Sequence, residues 1–210
     1  EINPAFAEAH SNLLFTLNYS ASHPPAYCLE IARQYGQMVQ SKTGMQFSTW
    51  LCADQPERLR VGVVSGDLYN HPVGYFLESL LAQLDQTSIE LIAYPTYHRA
   101  DELTGRIKPA FSAWKPLLGL NDAAAARLIH ADAVHVLLDL SGHSAHNRLP
   151  VFAWKPAPVQ ASWLGYFATT GVAEMDYLLV DSTGVPDDQR AQFTETVCYL
   201  PDSRLCFTAP

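Results

Sequence analysis

Apolar residues spaced three and four positions apart predict two amphipathic helices near the start of the chain. The first covers residues 4–19, with Asn3 as its N-cap and Pro4 as its first helical residue. The second runs to about Gln40 and stops near Gly44. Their apolar positions are Phe6, Ala9, Leu13 and Leu17 in the first helix, with Leu14 beside them, and Tyr27, Ile31, Tyr35 and Met38 in the second. The pattern therefore predicts a helical pair, followed by an irregular linker.

The pattern changes at Arg58, where short β-branched runs begin to alternate with helical stretches. Strands are predicted at residues 59–64, 89–94, 133–140, 158–163, 177–180 and 197–200. Helices are predicted at residues 73–84, 101–107 and 121–130, the last of them capped by Asn121. Strands that alternate with helices are typical of parallel βαβ units. We therefore predict a doubly wound α/β fold with helices on both faces of the sheet.

The composition is that of a globular protein. The 210 residues are 48% hydrophobic and 16% charged, which excludes a long disordered tail. Lysine and arginine number 13 against 21 acidic residues, giving a net charge of −8. Phosphate backbones and anionic membranes select the opposite charge. We therefore expect neither a nucleic acid partner nor a membrane partner.

The cellular compartment is predicted from the cysteines and from the lack of targeting signals. No apolar window reaches the roughly 18 to 20 residues that span a bilayer, and no secretory signal is visible. The four cysteines, at positions 28, 52, 198 and 206, form no CxxC pair, so we expect free thiols in the cytoplasm. The sequence begins at Glu1 inside a helical pattern, from which we expect it to be part of a longer protein.

In an open parallel sheet, ligands bind beyond the carboxyl ends of the strands, near the point where the strand order reverses. The loops to consider are therefore those after Val64, Tyr94, Leu140 and Trp163.

The loop after the first strand leads into a helix predicted to start near Val73. The free N–H groups and the dipole of a helix N-terminus favour an anion such as phosphate. His71 is the first candidate for catalysis, because Pro72 fixes the chain after it and an imidazole can accept a proton near neutral pH. Asp67 could orient that imidazole, contact a substrate hydroxyl, or only cap the helix. The loop lacks GxGxxG and GxxxxGKS, so neither a dinucleotide site nor a P-loop is predicted.

The loop after the strongest strand, residues 139–148, also carries polar side chains. Residues 142–146 approach a GxSxG motif but lack its final glycine, so a serine hydrolase is not favoured. His143 and His146 form an HxxH pair without a glutamate in metalloprotease register and without an obvious third ligand. A zinc site is therefore not favoured either.

A third loop, residues 162–171, combines two glycines, two threonines and three aromatic residues. Glycine lets the backbone approach a ligand closely, so that N–H groups can face its oxygens. The alternative is an aromatic loop that only packs against the sheet.

Taken in order, these loops resemble the catalytic region of the nucleocytoplasmic O-GlcNAc transferases and their bacterial homologues. The opening helix is similar to the one that joins the tetratricopeptide array to the catalytic part in that family. The matching stretches are residues 58–67 and 70–72, residues 139–143, residues 156–166, and residues 169–171 and 175–177 with Asp181.

The resemblance implies a two-lobed glycosyltransferase of the B fold, which holds UDP-GlcNAc between two Rossmann-like lobes. It would transfer the sugar with inversion to a Ser or Thr hydroxyl of a protein. Residues 1–50 would form the end of a tetratricopeptide-like helical region with a linker, and residues 51–210 the N-terminal catalytic lobe. The second lobe would be absent from this chain, so we expect the chain alone not to turn over.

The resemblance also implies site residues, each matched by position. His71, Asp67 and His10 would be catalytic, with the identity of the general base left open among them. The donor would contact Asn70, Pro72, Leu164 and Gly165. The resemblance implies no cofactor and no metal, because a helix N-terminus and a lysine of the second lobe would stabilise the leaving diphosphate. Val73 stands where some family members have a hydroxyl residue, which removes one possible phosphate contact.

Two other functions remain open at this point. Another B-fold sugar-nucleotide enzyme, such as a protein O-fucosyltransferase that uses GDP-fucose or a nucleotide-sugar epimerase, would keep the fold and change the substrate. A noncatalytic platform that binds peptides would have no affinity for a nucleotide.

Overall fold

The structure is a computed structural model that describes residues 6–207. Its α-helices are α1 (Ala7–Leu17), α2 (Pro25–Lys42), α3 (Pro72–Gln83), α4 (Glu102–Ile107), α5 (Asp122–Ala131) and α6 (Leu149–Phe152). Its strands are β1 (Leu59–Ser65), β2 (Ile89–Pro95), β3 (Ala113–Trp114), β4 (Val136–Asp139), β5 (Val159–Ser162), β6 (Tyr177–Val180) and β7 (Thr196–Tyr199). Short 3₁₀ helices cover Lys108–Ala110 and Asp187–Gln192. The predicted N-cap Asn3 and the helical residue Pro4 lie outside the described residues.

The strands form one parallel sheet in the order β3-β2-β1-β4-β5-β6-β7. The order reverses between β1 and β4, where Val61 pairs with Leu91 on one side and with Val136 on the other. This arrangement confirms the predicted α/β fold and is that of a Rossmann-like lobe. It also fixes the switch point beyond the carboxyl ends of β1 and β4.

Alternate residues of each strand face opposite layers of helices. Val61 and Val63 of β1 pack with buried residues of α3 and α4, namely Val73, Leu77, Leu81, Leu103 and Ile107. Val64 faces the other layer, where the core includes Leu14, Ala32, Tyr35, Ala125, Ile129 and Phe152 of α1, α2, α5 and α6. Such two-sided burial explains why the strands are nearly continuous runs of Val, Leu and Ile.

The α1–α2 hairpin packs directly into the second of these layers. A Cβ on Gly36 of α2 would lie 1.8 Å from the carbonyl oxygen of Gly171, so the helix and the 165–171 loop touch backbone to backbone. A Cβ on Gly171, whose φ is +73°, would lie 2.0 Å from the carbonyl oxygen of Ala32. Only two glycines allow this approach, because any side chain at either position would overlap the facing backbone.

The buried stripe of α1 differs from the predicted one. Ser11, Leu14 and Leu17 are buried, whereas Ala9 is exposed and Phe6 and Leu13 are 51% and 41% exposed. The prediction is wrong at these three positions, because only a narrow stripe of the helix is buried and that stripe includes a polar residue. Apolar spacing alone cannot separate that stripe from neighbouring apolar residues that face solvent.

Several boundaries also differ from the prediction. The strand predicted at residues 133–140 is shorter, because Ala133 adopts a φ of +53° that breaks the extended backbone. The short elements β3 and α6 were not predicted, since two and four residues are too few for a periodic pattern. Of the helices in residues 6–207, none combines the length and the apolar character needed to cross a bilayer. The cysteines are free, as predicted.

Candidate active site

Three loops meet beyond the carboxyl ends of β1, β4 and β5. The amide of Gly66 donates to the hydroxyl of Ser141 over 3.4 Å, which joins the first loop to the second. The hydroxyl of Ser162 donates to Asp139 over 3.1 Å, which joins the second loop to β5. The structure therefore brings the three candidate loops together at the switch point of the sheet.

His71 is the N-cap of α3, and Pro72 is the first residue of the helix. The His71 Nδ1 accepts a hydrogen bond from the Val73 amide over 3.3 Å, and the same nitrogen lies 3.9 Å from Asp67 Oδ1. Because Nδ1 acts as an acceptor here, neutral His71 carries its proton on Nε2. The side chain is 37% exposed, so the imidazole is accessible to a ligand at the site.

Asp67, next to this imidazole, is buried. Burial raises the pKa of its carboxyl group, against the opposing effects of the charges on His71 and His146 and of a hydrogen bond from Tyr69. The Asp67 amide donates to Ser65 Oγ over 3.0 Å, which holds the turn that presents the carboxylate. A carboxylate with a raised pKa is a stronger base than an exposed one.

Asn70 sits at the outer edge of the same loop. Its backbone N–H donates to Asp101 Oδ2 over 2.8 Å, and the residue is exposed. Asp101 is also the N-cap of α4, where its Oδ1 accepts from the amides of Leu103 and Thr104. The helix cap of α4 therefore fixes the backbone of Asn70 next to His71.

The predicted contacts Leu164 and Gly165 form a tight turn after β5. The Gly165 amide donates to the Trp163 carbonyl over 3.0 Å, and Leu164 between them has a φ of +76°. These values describe a γ-turn with positive φ, a rare and strained conformation. A Cβ on Gly165 would lie 2.1 Å from the Leu140 carbonyl oxygen and 3.2 Å from Val73 Cγ2. The turn therefore packs tightly against the start of α3. Backbone strain such as the positive φ of Leu164 is concentrated at functional sites.

The side chain of Leu164 is buried, and its carbonyl accepts from Arg204 over 3.2 Å. Leu164 therefore shapes the turn through its backbone conformation, while Gly165 allows the turn to lie against Leu140 and α3.

Asp139, which sequence reasoning did not select, ties the second loop together. Its carboxylate accepts from the amides of Ser141 and Gly142 and from the Ser162 hydroxyl. Burial raises the pKa of Asp139 to about 6, despite these hydrogen bonds. An aspartate at the end of an apolar strand, two residues before Ser-Gly, is the signal that could have found it.

The two histidines of the HxxH pair lie in different environments. His143 is buried between the ring edges of Tyr35 and Tyr166, whereas His146 is exposed and stacks on Tyr97 with ring centroids 3.9 Å apart. Burial lowers the pKa of His143 to about 4. Within residues 6–207, no group of three or more His, Cys, Asp or Glu side chains is arranged to hold a metal ion.

His143 also links the hairpin to the site. Its Nε2 lies 3.0 Å from the Thr170 carbonyl oxygen, which can only accept, so neutral His143 carries its proton there. The Ser11 hydroxyl, 2.9 Å from Nδ1, must then donate. His10 precedes this serine on α1 and is partly buried. Of the predicted catalytic residues, Asp67 and His71 are therefore adjacent, and His10 lies on a separate element.

A parallel sheet with a polar helix N-terminus and a strained glycine turn at its switch point defines a Rossmann-like lobe with a ligand site at its carboxyl edge. The family model for glycosyl transferase family 41 matches residues 10–207. The chain therefore belongs to this family.

Two curated relatives carry related names. The tomato protein named probable UDP-N-acetylglucosamine–peptide N-acetylglucosaminyltransferase SPINDLY is 32% identical over 99% of this chain and 23% of its own length. The Caenorhabditis elegans UDP-N-acetylglucosamine–peptide N-acetylglucosaminyltransferase is 27% identical over 91% of this chain and 17% of its own length. The chain thus spans a quarter or less of the length of these relatives.

The fold is also similar to that of a solved bacterial enzyme. The structure of a mutant O-GlcNAc transferase from Thermobaculum terrenum superimposes with a TM-score of 0.90 at 36% sequence identity. The superposition covers 97% of this chain and 39% of that chain. The Rossmann-like architecture is therefore shared over nearly the whole of the chain.

Proposed function

We propose that this chain is the N-terminal catalytic lobe of a protein O-GlcNAc transferase, which moves N-acetylglucosamine from UDP-GlcNAc to Ser or Thr hydroxyls. The observation that carries the proposal is the meeting of Asp67, His71 and the Leu164–Gly165 turn at the switch point of a family 41 chain. The names of the relatives and of the structural neighbour support the same donor and acceptor.

In the proposed reaction, an acceptor hydroxyl attacks the anomeric carbon, the bond from that carbon to the diphosphate oxygen breaks, and UDP leaves. Negative charge then builds up on the diphosphate. We assign its stabilisation to the N-terminus of α3 and to a lysine of a second lobe outside this chain, without a divalent metal. Asn70, Pro72 and Gly165 would border the donor, with Leu164 shaping the turn.

His71 and Asp67 are the proposed catalytic pair. In its neutral form His71 presents Nε2–H, which suits a phosphate or sugar oxygen. Asp67, whose pKa is raised by burial, or a second tautomer of His71 would accept the proton of the hydroxyl. We retain His10 of α1 as the third candidate base. We also propose that residues 1–50 continue a tetratricopeptide-like region and that the protein acts in the cytoplasm, where its cysteines stay reduced.

Calorimetry on the full-length protein tests the donor. Without added metal, we expect UDP and UDP-GlcNAc to bind, and EDTA to leave GlcNAc transfer unchanged. Binding of GDP-fucose instead would make the protein an O-fucosyltransferase. No binding of any nucleotide would leave a noncatalytic platform as the better account.

A substitution tests the catalytic residue. His71→Ala in the full-length enzyme should lower kcat by about 10² to 10⁴-fold, the usual contribution of acid–base catalysis. The matched control is His23→Ala, an exposed histidine between α1 and α2, which should leave kcat unchanged. A loss below about threefold for His71→Ala would contradict its catalytic role.

A further inference from the structure

A cavity opens beyond the ends of β1, β2 and β3, on the same edge of the sheet as the candidate active site. It encloses about 340 Å³. Its floor includes Ser65 and Gly66 of the first loop, and its walls include Tyr97, Arg99, Lys108 and Trp114. The cavity therefore adjoins the Asp67–His71 loop but lies on the β2–β3 side of it.

Each of the two cations is positioned by an aromatic ring. The Arg99 guanidinium carbon lies 4.7 Å from the centroid of Tyr69, and the Lys108 ammonium lies 5.6 Å from the centroid of Trp114. Stacking occupies the face of a guanidinium and leaves its N–H edges available for a planar carboxylate. Both side chains are exposed, and neither forms an ion pair with any residue in the range 6–207.

The acidic residue nearest in sequence to Arg99 is already engaged. Asp101 accepts hydrogen bonds from the amides of Asn70, Leu103 and Thr104, so its oxygens serve two backbone segments. The charge of Arg99 contributes to lowering the pKa of Asp101. Even so, Arg99 and Lys108 both line this cavity without a salt bridge to any residue between 6 and 207, in a chain whose net charge is −8. A ligand with a negative charge would satisfy both of them.

The distance between Arg99 and His71 indicates what kind of ligand would reach this cavity. Tyr69 links the two places, since its ring is 4.7 Å from Arg99 and 5.8 Å from the ring of His71. Arg99 is therefore within roughly 10 Å of His71, which is the span of about three extended residues. An acceptor polypeptide whose hydroxyl lies at His71 would place a side chain three residues away in this cavity.

We propose that Arg99 and Lys108 form an acceptor subsite that selects a carboxylate side chain about three residues from the glycosylated Ser or Thr. The inference rests on the proposed transferase function. Arg99 and Lys108 determine acceptor specificity and do not take part in the chemical step. The guanidinium, held over the ring of Tyr69, binds the carboxylate with two N–H groups, and the ammonium near the ring of Trp114 adds a second positive charge.

Matched peptides test the subsite in the full-length enzyme with UDP-GlcNAc. Each peptide carries a single Thr as the acceptor. One further position, among the four before and the four after this Thr, is occupied by Glu, Gln or Lys. We expect the wild type to prefer Glu over Gln by about three- to tenfold in kcat/KM at one position near the third, as suits an exposed charge pair. Arg99→Glu and Lys108→Glu should abolish this preference and favour the Lys peptide.

The control is Arg127→Glu, the same charge change at an exposed position of α5, which should leave the preference unchanged. Equal use of Glu and Gln peptides by the wild type would overturn the proposal. An unchanged peptide preference in Arg99→Glu would overturn it as well. If Arg99→Glu instead raised the KM for the donor and left the peptide preference unchanged, the cavity would be part of the donor site.

Direct binding separates this inference from the proposed function. Calorimetry with a tetraglutamate peptide should show binding to the full-length wild type that Arg99→Glu and Lys108→Glu weaken and Arg127→Glu does not. If no sugar transfer is found with any donor, the proposed function fails, and this measurement still decides whether the cavity binds carboxylates. Equal binding by the wild type and Arg99→Glu, or none by the wild type, refutes the inference.

Discussion

Replacing His143 with Gln should change how stability depends on pH. His143 is buried between two tyrosines, with its Nε2 donating to Thr170 and its Nδ1 accepting from Ser11. Burial lowers its pKa from 6.5 to about 4. Above pH 6.5 the imidazole is neutral in both the folded and the unfolded chain. As the pH falls from 6.5 towards 4, only the unfolded chain binds the proton, so folding loses stability.

The size of the effect follows from the two pKa values. Between pH 8 and pH 5 the His143 titration should remove about 2 kcal/mol from the free energy of unfolding. Asp139 acts in the opposite direction, because burial raises its pKa to about 6 and the folded chain binds that proton first as the pH falls. The Asp139 titration should add roughly 1 kcal/mol over the same interval. The contributions of His143 and Asp139 to the wild-type stability therefore partly cancel.

The comparison with His143→Gln isolates the histidine, because the constant cost of the substitution and the Asp139 contribution both cancel. Urea unfolding of the chain, followed by tryptophan fluorescence, gives the free energy of unfolding of each protein at pH 8 and pH 5. The stability advantage of the wild type over the variant should shrink by about 2 kcal/mol at pH 5. An advantage that differs by less than about 0.5 kcal/mol between the two pH values would refute the buried neutral state of His143.

The remaining predictions concern packing. Gly36→Ala should lower the free energy of unfolding by about 1–3 kcal/mol or more, because the new Cβ would overlap the Gly171 carbonyl. Its control is Gly105→Ala in α4, which meets nothing within 4 Å and should stabilise the chain by about 0.5–1 kcal/mol. Glu195→Gln should cost about 1–3 kcal/mol, since the buried carboxylate accepts from the Thr170 amide and from two threonine hydroxyls. The control Glu57→Gln, at an exposed position, should leave the free energy of unfolding unchanged. Equal urea midpoints for Glu195→Gln and Glu57→Gln would show that the Glu195 contacts contribute nothing to stability.

Much of the sheet could be predicted from the sequence, because a parallel strand buried on both faces leaves a continuous apolar run. The loop from Asp67 to Pro72 could also be located, since it follows such a run and precedes a clear helix. Its position at the switch point then follows from the general topology of α/β sheets.

Contacts between distant segments could not be predicted from local patterns. The hydrogen bond between Ser11 and His143 joins residues 132 positions apart. No local sequence pattern around either residue indicates this contact. The positive φ of Leu164 could not be predicted from the sequence either, because leucine rarely adopts a positive φ and only the surrounding packing holds Leu164 in this conformation. Asp139 looked like one polar loop residue among several until the structure showed three donors around it.

The long separation between the α1–α2 hairpin and its partners has a consequence during protein synthesis. The hairpin is synthesised before these partners, because Gly171 and His143 follow it by more than a hundred residues. At the usual rates of translation this delay is on the order of 10 s. Throughout that time the apolar side chains of Leu14, Tyr35 and Val39 lack the surface that buries them in the folded chain. We therefore expect the hairpin of the nascent chain to need protection by a chaperone during this interval.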